Sequence, residues 1–336
     1  MSEAARFLGQ GPFTVEAIGH TPVAGATREL TRVRAADGRC AVVKVLHCGS
    51  NPRWPALPDR ASPWWWRREA SAYASAGLRE RLATAGLRMP ALLGVAEREQ
   101  HVCALWLEDL TGAPGPTWGS ERLAEAAAGL GALAGTEPLD EPWLSRGWLR
   151  DYTGLRDAEQ AAFALAWGDL EHLRAPAERL WAERVRWLDV LDTLPRALSH
   201  LDLWPGNLFD DDGVTVLTDW AYAGLGALGE DLGNLVPDSV ADLCLPVADL
   251  DRADELTWAA YAGALPPAVD PRLARLGTCA SSAVKFSWLA PRLVAIVDGD
   301  AWAAKKGVTY AVQREAFLAA IDLVLRRADE ARRLAG

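Results

Sequence analysis

Residues 199–235 read SHLDLWPGNLFDDDGVTVLTDWAYAGLGALGEDLGNL. Within them stand His200, Asp202, Asn207, Asp219 and Asp231, with Asn207 five residues after Asp202 and Asp219 twelve after Asn207. Between Asn207 and Asp219 the pattern is that of a short hairpin. Leu208 and Phe209 end one strand, Asp210-Asp211-Asp212-Gly213 is turn material, and Val214 to Thr218 is apolar and β-branched. Such a hairpin brings Asn207 and Asp219 side by side at one rim. Asp202 lies just before it, in a loop that turns at Trp204-Pro205-Gly206. Oxygen donors grouped in this way suit a hard cation such as Mg²⁺, which takes few protein ligands and leaves room for phosphates. Asp202 is then free to act on a substrate hydroxyl. Asp210 to Asp212 lack the spacing and closing Glu of a calcium loop and read as a solvated turn.

The order H-x-D-x-x-x-x-N, a strand and then Asp resembles the catalytic core of the kinase-like phosphotransferases. Two features resemble one branch, the aminoglycoside phosphotransferase family. Asp219-Trp220 replaces Asp-Phe-Gly, and GEDLGNL at Gly229 to Leu235 is similar to that family's G-x-x-D-L-A element. One residue departs from the pattern: Leu201 stands where the family usually has Gly. The resemblance covers about residues 15 to 236, and no motif is recognised in the last hundred residues.

Working outward, Val15 to Gly19 and Arg28 to Val33 read as strands joined by a loop, His20 to Thr27. The resemblance implies that this loop covers nucleotide phosphates, although a plain hairpin turn has the same composition. Asp37-Gly38 then turns the chain into Cys40 to Leu46, where Lys44 interrupts a nearly continuous apolar run. A charge there is costly unless paired; the alternative is an edge strand with the lysine reaching outward. Ser62-Pro63 is a good helix start, which puts Glu69 about two turns into a helix WWWRREASAYASA. Glu69 is the candidate partner of Lys44, with Arg67 and Arg68 as the competing ones. Trp64-Trp65-Trp66 cannot all face one side of a helix. Val102 to Leu107 is a further strand, and LWLEDLTG resembles the family's hinge, so backbone near Glu108 to Leu110 would bind an adenine edge. Pro114, Gly115 and Pro116 form a linker. Helices are expected at Ser120 to Leu133, Asp157 to Trp167, Pro176 to Leu194, Asp251 to Tyr261, Pro271 to Val297 and Thr309 to Arg333.

The 336 residues carry a net charge of −10, which argues against a nucleic-acid partner and would suit a cationic substrate. No run approaches a membrane span, no signal segment is visible, and five scattered cysteines fit a reducing compartment; a soluble, cytoplasmic protein is expected. The expected fold is α+β, a two-lobe protein-kinase-like architecture. It comprises an N-terminal antiparallel sheet plus helix (1–107), a hinge (108–116) and a larger, mostly helical C-terminal lobe (117–336). The resemblance implies Mg²⁺-dependent transfer of the γ-phosphoryl of ATP or GTP to a small-molecule hydroxyl. Asp202 would be the base, Asn207 and Asp219 the metal ligands, and Lys44, Glu69, Glu108 and Leu110 the nucleotide site. His200 and Asp231 would scaffold the loop. An antibiotic acceptor, aminoglycoside or nucleoside-type, would lie between the catalytic loop and the helices after Leu235. Carboxylates from Asp238 to Glu255, or rings such as Trp258, Trp288 and Trp302, would meet it. Two alternatives stand beside this: a kinase of a metabolite such as choline or homoserine, and a non-catalytic pseudokinase that binds a partner.

Overall fold

The computed structural model describes residues 2–19, 25–49, 54–137 and 139–336. Helix α1 (Glu3–Leu8) precedes strands β1 (Phe13–Ala17), β2 (Thr27–Ala35) and β3 (Cys40–His47). Helices α2 (Arg68–Ala74) and α3 (Ala76–Thr84) follow, then β4 (Leu87–Arg88), β5 (Leu92–Glu99) and β6 (Val102–Glu108). Five of these strands form one sheet in the order β1-β2-β3-β6-β5, with every neighbouring pair antiparallel. The apolar runs of β3 and β6 account for their central places: both are buried nearly throughout. Lys44 is therefore on an inner strand, opposite Leu30 on one side and Leu105 on the other, which rules out the edge-strand alternative.

Beyond β6 the chain is mostly helical. Helices α4 (Ser120–Ala134), α5 (Trp148–Gly154), α6 (Glu171–Ala182) and α7 (Arg184–Thr193) lead to β7 (Arg196–Ser199), the hairpin β8 (Leu208–Asp211) and β9 (Val214–Leu217), and β10 (Gly224–Ala227). Helices α8 (Glu230–Ala241), α9 (Leu250–Ala264), α10 (Pro271–Lys285), α11 (Leu289–Val294), α12 (Gly299–Ala304) and α13 (Tyr310–Leu334) complete the order. Helices α10 and α13 start on side-chain caps: Asp270 accepts from the N–H of Arg272 ahead of α10, with Pro271 at the first position, and Thr309 accepts from Val312 ahead of α13. β4 leaves the large sheet and pairs in parallel with β9. The linker docks on the same hairpin, since Asp210 donates its N–H to Ala113. Gly112 permits that contact, because a Cβ there would lie 1.4 Å from the Asp210 carbonyl oxygen.

Several expected elements are corrected. No helix starts at Ser62-Pro63. The Trp64 carbonyl accepts from Leu57 and the Trp66 N–H donates to the Leu57 carbonyl, so this segment bonds sideways and closes only isolated turns, Trp65 to Ser62 and Arg68 to Trp65. The buried Arg68 side chain fixes the bend by donating to the carbonyls of Ser62, Pro63 and Trp143. Glu69 consequently stands in the first turn of α2, not two turns in. The tryptophans part company: Trp64 packs edge-on to Tyr222 at 5.5 Å, while Trp66 enters the core beside Leu46 and Tyr73. The hairpin turn is tighter than expected. Asp210 and Asp211 are still strand, paired with Thr215 and Val214, and only Asp212 and Gly213 turn, both at positive φ (50° and 87°). Asp157 to Ala164 is 3₁₀ rather than α-helix. The helix expected from Pro176 begins at Glu171, retains Pro176 inside it, and gives way to α7 at Glu183. The helix expected over Pro271 to Val297 breaks at Phe286 to Trp288. Of the loop expected to cover phosphates, residues 20–24 lie outside the described residues.

Candidate active site

The loop after β7 is held by its backbone. Asp231, in the first turn of α8, accepts hydrogen bonds from the N–H groups of His200 and Leu201, each at 2.7 Å. Leu201 has φ +67° and is buried, so the departure from Gly is accommodated by a left-handed leucine whose side chain packs inward. The His200 ring lies 2.7 Å from the Thr218 carbonyl through Nε2; a carbonyl can only accept, so Nε2 carries a proton. Asn234 of α8 donates to the Leu203 carbonyl and Asn207 donates its Nδ2 to the Asp202 carbonyl at 2.8 Å. His200 and Asp231 thus hold this loop through hydrogen bonds, and the Asn207 amide presents its oxygen elsewhere.

The hairpin register puts Leu208 opposite Leu217, and Thr218 donates to the Asn207 carbonyl. Asn207 and Asp219 therefore flank the same rim. Asp219, at φ +59°, turns its carboxylate to Lys44, 2.9 Å away. Lys44 also meets Glu69 at 2.8 Å. Burial alone would lower the lysine pKa, but the charges of Asp219 and Glu69 outweigh it and hold it above the ordinary value. Asp219 is pulled below the usual carboxylate range: burial opposes the shift and Lys44 prevails. Asp202 is the opposite case, raised because burial exceeds the stabilisation from Lys285.

These groups open on a cavity of about 530 Å³ between the large sheet and the hairpin, which includes Leu30, Lys44, Leu110, Asp202, Asn207 and Asp219 in its wall. Glu108 also lines it, but its N–H donates to the Ala91 carbonyl and its carboxylate is bound by Arg88 and the Ala91 N–H, so neither is free for a ligand. Beside it Asp109 makes a two-pronged bond with Arg32 of β2 at 2.9 and 3.0 Å. As for a divalent cation, one amide oxygen and one carboxylate at this rim are hard donors of the kind Mg²⁺ accepts while retaining water. Among the described residues no cluster of three or more His, Cys, Asp or Glu forms a fuller cage. The donor set fits a cation shared with phosphates.

Two groups beside Asp202 come from the region without a motif. Lys285, at the end of α10, lies 3.6 Å from Asp202 and 3.7 Å from Asp238 of α8. Asp238 is among the carboxylates singled out in the sequence; Lys285 is not. Its signal is the one that marks Lys44, a charge in a run of small and apolar residues (TCASSAVKF). The other expected acceptor groups lie elsewhere. Asp251 pairs with Arg326 and Asp254 with Arg327, Trp258 stacks on Tyr261, and Trp302 packs on Tyr310 and Phe317. Trp288 donates to the hydroxyl of Tyr152, whose ring lies 5.9 Å from the Lys285 ammonium, at 3.0 Å. Among the described residues no helix is long and apolar enough to cross a membrane.

The sequence model of the phosphotransferase enzyme family matches residues 22–271. No curated protein matches by sequence. Among solved structures, the chain is similar to amicoumacin kinase hAmiN in complex with AMP-PNP, Ca²⁺ and Ami (12% identity, 92% of this chain and 88% of that one, TM-score 0.59). It is similar to a choline/ethanolamine kinase family protein from Mesorhizobium loti (18%, 96% and 91%, 0.53). It is also similar to aminoglycoside phosphotransferase APH(4)-Ia (15%, 97% and 96%, 0.50). At these identities the likeness is one of fold.

Proposed function

The chain belongs to the phosphotransferase enzyme family, and on that footing we propose that its cleft moves the γ-phosphoryl of ATP or GTP to a hydroxyl of an antibiotic. The observation that carries the reading is the Lys44 ammonium joined to both Glu69 and Asp219 in a cavity whose wall also holds Asp202 and Asn207. Lys44, fixed by Glu69, binds phosphate oxygens. Asn207 and Asp219 hold Mg²⁺, which neutralises phosphate charge when bound. Asp202 orients the acceptor hydroxyl and accepts its proton. Leu110 and the backbone beside Glu108 meet the base. The working division is a nucleotide lobe (1–107), a hinge (108–116) and a catalytic and acceptor lobe (117–336). An aminoglycoside or a nucleoside-type compound are the two antibiotic classes in view, and the site is taken to work in the cytoplasm.

A second reading, a kinase of a metabolite such as choline, is favoured by one observation. The rings of Trp148, Tyr152 and Tyr222 gather near Asp202, with Trp148 5.1 Å from Tyr152 and 5.3 Å from Tyr222, and aromatic cages bind quaternary ammonium groups. The pseudokinase reading has less support, because Lys44, Asp202, Asn207 and Asp219 are all present. The test is metal-dependent nucleotide binding. Asp219→Ala should abolish the Mg²⁺-dependent part of AMP-PNP affinity, and Asn207→Ala should weaken it less, because a neutral ligand is lost. Identical metal titrations for wild type and Asp219→Ala would refute the metal assignment. Expression in a susceptible bacterium against an antibiotic panel, with mass analysis for added phosphate, then separates antibiotic from metabolite.

A further inference from the structure

The ring cluster that favours a choline-like acceptor already contains a cation. The Lys285 ammonium lies 5.2 Å from the centre of the Trp148 ring and 5.9 Å from those of Tyr152 and Phe286, within cation–π range. Lys285 is 8% exposed, yet among the described residues its Nζ has no hydrogen-bond acceptor. Asp202 and Asp238 balance its charge from 3.6 and 3.7 Å, beyond hydrogen-bonding distance. A buried ammonium with its donors unused is costly, and a ligand oxygen in its reach removes that cost. Of the carboxylates nearby, Asp202 and Asp238 already face Lys285, and Asp242 is held by Lys306.

We infer that Lys285 recognises the acceptor, donating to an oxygen beside the hydroxyl that Asp202 receives, and that the acceptor is a neutral or anionic polyhydroxy compound rather than a polyamine or quaternary ammonium. This rests on the phosphotransfer reading and narrows it, away from an aminoglycoside and from choline. The geometry gives Lys285 one task and Asp202 another. Asp202 lines the 530 Å³ cleft, and Lys285, at the end of α10, is tied to that cleft through its 3.6 Å approach to Asp202; in the proposed complex a second oxygen of the molecule on Asp202 takes up the ammonium. A cationic group in that position would meet a like charge inside the ring cluster instead of an empty cage.

The test uses the full chain with Mg²⁺ and ATP and six probes: choline and kanamycin, uridine and glucose, glycerate and gluconate. Added phosphate is read by mass, and AMP-PNP affinity is measured separately. Phosphorylation is expected among the neutral and anionic probes and absent for choline and kanamycin. Lys285→Met should raise the acceptor KM roughly 10- to 100-fold, the loss expected for a hydrogen bond from a charged group, with AMP-PNP affinity changed less than about twofold. Lys285→Arg, which keeps a donor cation, should recover most of the loss; its nucleotide affinity also reports whether the site has kept its shape. Turnover of only choline or kanamycin overturns the inference. So does a Lys285→Met enzyme with lowered kcat and unchanged acceptor KM, or a wild type that binds AMP-PNP but neither binds nor phosphorylates any neutral or anionic probe. A wild type that fails to bind AMP-PNP with Mg²⁺ removes the phosphotransfer reading itself, and this narrower one falls with it.

Discussion

In the proposed role Asp202, whose side chain is 31% exposed, meets two demands that conflict in a half-buried carboxylate: to carry charge and to remain open to a hydroxyl. Burial raises its pKa and the Lys285 charge partly restores it. Asp202→Asn keeps the shape and removes the proton acceptor. Its turnover should fall by about 10²- to 10⁴-fold with nucleotide affinity nearly intact, and steady-state rates beside AMP-PNP titration check both. Leu201 next to it shows how a residue that departs from the family pattern is tolerated. A left-handed leucine costs about 1–2 kcal/mol, and the two Asp231 bonds together with inward packing offset that. Glu230, the neighbour of Asp231, supplies a pH signature. Burial pushes its pKa from 4.5 up to about 7, against the hydrogen bond it accepts from the Ala227 N–H. The folded chain then holds a proton that the unfolded chain has released, so stability is full below about pH 4.5 and falls as pH rises to about 7. Glu230→Gln can still accept the Ala227 bond and has no proton to lose. Relative to wild type it should gain stability between pH 5 and pH 8, by on the order of 3 kcal/mol at most at 1.36 kcal/mol per pKa unit. Urea unfolding at the two pH values measures it, and a difference independent of pH would contradict the assignment.

At the scale of elements, β3 and α2 are joined through Lys44 and Glu69. In a double-mutant cycle on nucleotide binding, Lys44→Met and Glu69→Ala should show a coupling of roughly 0.5–3 kcal/mol; strict additivity would mean that the pair is not maintained when nucleotide is bound. This link was legible in the sequence because an apolar run makes a lysine conspicuous, and the start of α2 was not. A local reading favours Ser62-Pro63 as a cap, but Leu57 captures the backbone of Trp64 and Trp66, and Arg68 ties the carbonyls of Ser62 and Pro63 to that of the distant Trp143. Such bonds depend on what the fold brings near, and spacing alone does not encode them. The catalytic hairpin was legible for the converse reason: Asn207, the turn and Asp219 are fixed by local register, and only the number of turn residues was overestimated. Lys285 was hidden because its partners Asp202 and Asp238 lie 83 and 47 residues earlier in the chain.

At the scale of the molecule, the last hundred residues, in which the sequence shows no recognised motif, brace the loop that carries Asp202. Arg327 of α13 is 1% exposed. Its guanidinium donates to the Gly233 carbonyl of α8 and to Ser282 of α10, and it pairs with Asp254 of α9 at 2.5 Å. Four helices meet at one cation, and one of them, α8, carries Asp231 and Asn234, which hold the backbone of residues 200–203. Asp254 is kept below the usual carboxylate range because Arg327 outweighs the effect of burial. Removing the arginine takes away its close partner and leaves Arg275, 3.9 Å off. Arg327→Ala should therefore cost roughly 3–5 kcal/mol, the range for breaking a buried pair. Arg326→Ala, next in sequence but half exposed on Asp251 and Asp322, should cost no more than about 1 kcal/mol. The contrast separates a brace from a surface contact, since both lose the same charge from the same helix. If the poorly compensated Asp254 is the cause, Arg327→Met combined with Asp254→Leu should be more stable than Arg327→Met alone, because the second change removes a carboxylate that has lost its close partner. Urea unfolding of the four variants measures these differences, and equal costs for Arg326→Ala and Arg327→Ala would show that α13 docks through its apolar face without help from the ion pair.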